Sequence, residues 1–160
     1  METVTANQIQ LLLTEYDQTM SGQAWYGEPV WKILDGIDAG CASAQPLPGM
    51  HTIWQLVMHM MFWEEVAIRR FSERVEPDLS GNFPSTAALD EPIWRKTLDQ
   101  FRRSNAKFRE ALSRLDPATL DQTNPGGKYS FRGEAMGVIQ HHIYHVGQIA
   151  LLKKAYHGAK

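Results

Sequence analysis

The chain has 160 residues, the length of one domain spanning 1–160, and its 16 lysines and arginines against 18 aspartates and glutamates leave a net charge of -2. That balance excludes a nucleic-acid partner, which needs a clustered basic surface, and no stretch approaches the roughly 18 apolar residues of a membrane span. A single cysteine, Cys41, precludes an internal disulfide, and Met1-Glu2-Thr3 lacks a basic and apolar export signal, so a reducing cytoplasm is the expected location.

Thr5 and Gln8 have the spacing of a capping box, with Val4 and Ile9 placed for a hydrophobic staple, which predicts a helix start there. Ile9, Leu12, Leu13, Tyr16 and Met20 then follow a helical stripe that ends near Gly22. A shorter helix is predicted from Pro29 through Trp31, Ile33, Leu34 and Ile37 to Gly40.

After the breaker Gln45-Pro46-Leu47-Pro48-Gly49, a second long helix is predicted from Thr52 to about Phe71. It is apolar over most of its circumference, with Gln55, Glu64, Glu65 and Arg69 as a thin polar face, which implies a central position or a subunit interface. The apolar run Met58, Met60, Met61, Phe62 fits a dimer surface or a core equally well. Arg69-Arg70 here and Arg102-Arg103 further on read as solvated helix faces.

Residues 76–89, rich in Pro, Ser, Gly and Asn, read as a connection. The next helix carries a seam of Trp94, Leu98, Phe101, Asn105, Phe108, Leu112 and Leu115 and stops at Asp116-Pro117. Asn105, polar within that seam, either points toward a site or, as a buried hydrogen-bonded amide, fixes helix register. A loop, Asp121 to Gly133, leads to a last long helix over Glu134 to Tyr156. No strand pattern competes with these helices, so the fold class is all-α: four long helices and a short extra one.

The histidines carry the chemistry. In His141-His142-Ile143-Tyr144-His145, rings at i and i+4 share one helix face, with Cβ atoms roughly 5–6 Å apart, so both can reach one ion. On a helical wheel His145 falls within about 60° of Val138, Ile149 and Leu152 and faces inward; His141 lies about 40° to one side and His142 about 60° to the other. The sequence thus permits either pair. His59, between Leu56, Trp63 and Val66, also faces inward, and unsatisfied buried imidazoles cost about 1–3 kcal/mol each, a penalty that a shared metal removes. Three neutral imidazoles suit a zinc-like or nickel-like divalent cation and leave coordination positions open.

His51 reads as a capping or entry residue of the second long helix, and His157 as an exposed residue after the last. Asp17, Glu64 and Glu134 are the candidate carboxylates for orienting a metal-bound ring.

Pro48-Gly49-Met50-His51-Thr52-Ile53-Trp54-Gln55-Leu56-Val57-Met58-His59 with Trp63-Glu64, and His141-His142-Ile143-Tyr144-His145-Val146-Gly147-Gln148-Ile149, together resemble the DinB/YfiT-like superfamily of metalloenzymes. The likeness runs over nearly the whole chain and includes Trp25-Tyr26-Gly27. It implies an up-down-down-up four-helix bundle, often a homodimer, whose metal ligands are His59, His141 and His145 rather than His142. It further implies an activity such as joining a low-molecular-weight thiol to an electrophilic small molecule. A metal-dependent hydrolase and a nonenzymatic dimeric metal-binding bundle are the rival expectations.

Overall fold

The computed structural model describes residues 2–83 and 88–158, with side chains from residue 8 onward. Among these residues six α-helices follow in order: α1 (Glu2–Ser21), α2 (Val30–Leu34), α3 (Ala39–Ser43), α4 (Ile53–Ser72), α5 (Glu91–Ser113) and α6 (Phe131–Gly158), with one 3₁₀ turn at Pro117–Thr119. Among the described residues the only β-type pairing is an isolated bridge, Thr123 with Ser130.

The helix starts show which local signals prevail. α1 begins at Glu2, not at Thr5, so Thr5 lies inside the helix. The side chains of Val4 and Thr5, on which the expected cap and staple would rest, lie outside the described residues. α4 opens on a full capping box: the Thr52 hydroxyl accepts from Gln55 N at 3.1 Å while Gln55 Oε1 accepts from Thr52 N at 3.0 Å. Such a cap contributes about 1 kcal/mol. α5 starts at Glu91 because Asp90 accepts from Ile93 N at 2.8 Å, and Pro92 is tolerated in the first turn. α6 starts three residues before the expected Glu134, since the Ser130 hydroxyl accepts from Gly133 N at 3.0 Å.

The predicted short helix over 29–40 is two helices instead. α2 stops at Leu34, the chain turns through Gly36 in the left-handed region at φ 71°, and Asp38 caps α3 by accepting from Cys41 N at 2.7 Å. Trp94, fully buried on α5, donates its indole N–H to Ile37 O at 2.7 Å and pins that turn to the bundle. The connection expected over 76–89 contains no helix or strand where it is described; 84–87 lie outside the described residues.

Cross-helix pairs set the directions. Trp54 with Thr97 and Glu64 with Asn105 ascend together, so α4 and α5 run parallel, which requires the long connection between them. His59 with His141 and Arg70 with Glu134 run in opposition, so α4 and α6 are antiparallel. Gln8 with Arg132 and Tyr16 with His142 make α1 and α6 parallel. Along α1, α4, α5 and α6 the order is up-down-down-up. α4 packs on α5 and α6, and α1 closes the other side against the same two helices.

The core is built from the predicted stripes: Leu12, Leu13, Tyr16 and Met20 from α1, Phe101, Phe108 and Leu112 from α5, and Val138, Ile149 and Leu152 from α6. Each fully buried large side chain contributes roughly 1.5–3 kcal/mol relative to an exposed one. Met60 belongs wholly to this core, whereas Met58, Met61 and Phe62 line a groove shared with Arg103 and Lys107 of α5.

Candidate metal centre

α4 and α6 cross where both carry inward histidines. His141 Nε2 lies 2.9 Å from His59 Nε2 and 2.9 Å from His145 Nε2, and one ring nitrogen from each of the three falls within 4.8 Å of the others. His59 and His145 are buried and His141 half-buried. Among the described residues no carboxylate or thiol joins this cluster of donors.

Two of the three rings are held from behind. His59 Nδ1–H donates to the backbone carbonyl of Asn82 at 3.0 Å, and Phe83 stacks on the same ring at 4.0 Å, with His51 stacked at 4.0 Å on the far face of Phe83. His145 Nδ1–H donates to Gln148 Oε1 at 2.6 Å. A carbonyl or amide oxygen only accepts, so both rings carry their proton on Nδ1 and turn a bare Nε2 toward His141. A neutral His141 has one proton to offer those two lone pairs. A single cation satisfies all three nitrogens at once, so the donor set fits a divalent metal better than it fits hydrogen bonding within the trio.

Electrostatics point the same way. Burial, then the neighbouring imidazoles, pushes His141 down to about 3; burial pushes His145 down to about 4 against the opposing pull of Gln148; and burial lowers His59 from 6.5. Protons therefore do not compete for these nitrogens near neutral pH. For the metal-free protein the sign follows: a ring whose folded value is depressed stays neutral while the unfolded chain takes up its proton below about 6.5. Its stabilising contribution is present above that pH and is lost as the pH falls toward 4 and 3. Denaturation midpoints of the metal-free protein are expected to fall between pH 7 and about pH 4.5 more steeply than those of His141→Ala. Equal slopes would contradict the assignment.

His142 is not part of the trio. It is fully buried on the adjoining face of α6, donating from Nδ1 to Val138 O at 2.8 Å, with Nε2 3.0 Å from Glu64 Oε1. The same oxygen accepts from Tyr16 OH at 2.6 Å and from Asn105 Nδ2 at 2.8 Å, and Trp31 donates to Asn105 Oδ1 at 3.1 Å. Burial, then Glu64, raises Tyr16 well above its ordinary value, so it remains a donor. Asn105 is thus a buried, hydrogen-bonded amide, a link in a network that ties α1, α2, α4, α5 and α6 together.

The three carboxylates proposed to orient metal-bound rings all serve elsewhere. Asp17 pairs with Arg109 at 2.9 Å, Glu134 with Arg70 at 2.5 Å and with Asn124 at 2.8 Å, and Glu64, far from forming a polar face on α4, is buried in the His142 network. The orienting groups are Gln148 and the Asn82 carbonyl. Gln148 follows His145 by three residues on one helix and was accessible to periodicity; Asn82 lies in a loop and had no sequence signal. His51 stands immediately before the cap, which belongs to Thr52, and His157 is exposed in the last turn of α6.

The profile of the DinB superfamily matches residues 28–149, which contain all three histidines and the cap that starts α4. The chain belongs to the DinB superfamily. No curated protein matches it. Membership agrees with the helical bundle and with the three-histidine cluster, and as a DinB protein this chain places its candidate donors on α4 and α6, with Gln148 and Asn82 behind two of them. No described helix is long and apolar enough to cross a membrane.

Proposed function

We propose that the protein is a metal-dependent transferase that joins a low-molecular-weight thiol to a small electrophile, with His59, His141 and His145 as ligands to zinc or nickel. The observation that supports this reading is the uncharged, three-nitrogen donor set with two rings locked in the ligand tautomer. A divalent ion held by neutral donors keeps its full charge and favours thiolate over thiol, whose free pKa is about 8.5. His59 and His145 present lone pairs without rearrangement, and His141 joins the trio to an adjacent groove. In the transfer, the thiol proton passes to solvent, the sulfur electron pair forms the new S–C bond, and a halide leaves with the electrons of the broken carbon–halide bond.

Hydrolysis is less well supported, because a hydrolase benefits from a base beside the ion and among the described residues no carboxylate joins the donor cluster, Glu64 being engaged with His142. A purely structural metal site ordinarily closes with four protein ligands, whereas this cluster supplies three.

Purified protein loaded with Zn²⁺ or Ni²⁺ and mixed with bacillithiol, mycothiol or glutathione is expected to deplete thiol only when an electrophile is present. Chelation and His145→Ala are expected to abolish the depletion. Thiol-independent turnover of esters or amides would overturn the transfer reading in favour of hydrolysis.

A further inference from the structure

A groove of about 300 Å³ opens directly beside the trio, between α4 and α6, and His141 is one of its walls. Its volume sits at the small end of the range for small-molecule sites. Trp63 of α4 and Tyr129, just before α6, provide aromatic surface, Val138 adds an apolar side, and α6 presents Gly133 and Gly137 one turn apart. A Cβ at Gly137 would meet nothing within 4 Å, so this glycine admits no neighbouring side chain and leaves open space over the helix. A helix-interior glycine costs stability relative to alanine, and here no close packing offsets that cost.

The charged end of the groove is already neutralised. Arg70 donates from Nε and Nη2 to Glu76, both at 2.7 Å, and from Nη1 to Glu134 at 2.5 Å, while Asn124 holds the other Glu134 oxygen at 2.8 Å. The cation in the lining thus faces two carboxylates, so in the metal-free protein an anionic ligand seated against Val138 and Gly137 finds no unpaired lining cation, the nearest other one being Lys128, whose Nζ lies 5.2 Å over the Tyr129 ring.

We infer that this groove seats the electrophile, as an uncharged, flat, apolar molecule lying against Trp63 and Tyr129 with its reacting carbon at the His141 end. The assignment rests on the transfer reading, and it excludes a carboxylate-bearing thiol from this groove. Aromatic stacking and apolar burial provide the affinity, and the bare surface at Gly137 provides the room.

The test uses 1,3-dinitrobenzene, an uncharged aromatic with no leaving group, titrated into zinc-loaded and metal-free protein while the Trp63 indole N–H and Gly137 amide are followed by NMR. Saturable shifts at both groups are expected in both forms, and in the metal-free form binding of 3,5-dinitrobenzoate is expected to be about tenfold weaker or more, because its charge is desolvated there without a metal partner. Gly137→Leu is expected to weaken dinitrobenzene binding by about tenfold or more, with zinc content unchanged and a melting temperature at or above that of the parent. Dinitrobenzene affinity undiminished by Gly137→Leu, or shifts that bypass Trp63, would overturn the groove assignment, and equal binding of the carboxylate to the metal-free protein would overturn its charge preference. Groove binding without any conjugation of thiol to 1-chloro-2,4-dinitrobenzene removes the transfer reading alone. Full conjugation by Gly137→Leu removes the groove and leaves that reading standing.

Discussion

Replacing any one of His59, His141 or His145 by alanine is expected to weaken Zn²⁺ binding by more than about 100-fold, because loss of an orienting partner alone typically costs 10–100-fold and these are the donors themselves. Gln148→Ala, which frees the His145 ring without removing it, is expected to fall in that lower range. None of these changes should unfold the bundle: the Nε2 atoms face one another rather than the surrounding core, and their removal relieves the crowding of lone pairs. Elemental analysis of purified variants, followed by competition against a chromogenic chelator, measures the effect. Full metal occupancy in His145→Ala would end the proposed ligand assignment. His142→Ala should retain its metal in whatever fraction is folded, since its ring points to Glu64 and Val138 rather than to the trio.

Glu64→Ala is expected to cost about 3–5 kcal/mol of folding stability, the range for removing one partner from a buried ionic or polar cluster. It would leave Tyr16 OH and Asn105 Nδ2 without their common acceptor and His142 Nε2 without its partner, inside a core where Glu64, His142 and Tyr16 are at most 2% exposed. Against a total of roughly 5–15 kcal/mol for a domain, that loss is large. Glu64→Gln keeps an oxygen and the side-chain shape and should cost less. Urea denaturation distinguishes the two variants, and a loss below about 1 kcal/mol for Glu64→Ala would show that the network contributes little. The contrast with the trio is the diagnostic point. Alanine at His145 is expected to remove metal and spare the fold, whereas alanine at Glu64 or His142 is expected to destabilise the fold and spare the donors.

Much of this architecture was legible locally. The stripe Leu12, Leu13, Tyr16, the seam Phe101, Asn105, Phe108, Leu112 and the Thr52–Gln55 box all sit where a 3.6-residue period and capping chemistry place them, because both depend on neighbours within a turn or two. The break between α2 and α3 was missed because apolar spacing continued across Gly36 and masked a residue suited to positive φ. Glu64 was misread for a related reason. Its charge suggests solvent, and only partners from three other helices make its burial tolerable.

Taken by itself, the order of residues determined that the chain forms long amphipathic helices and that His59 and His145 point inward, since side-chain direction along a helix is a local property. Whether His141 or His142 completes the trio was open to periodicity, the two lying about 40° and 60° from His145 on either side. The rotation of α6 against α4 decided it, and that rotation is a property of the whole core. With Glu64, Tyr16 and Asn105 drawing His142 into the bundle centre, His141 is left facing His59 and the groove. Side-chain networks that span several helices, and a loop carbonyl such as that of Asn82, have no counterpart in sequence spacing, because the atoms they join become neighbours only after the helices pack.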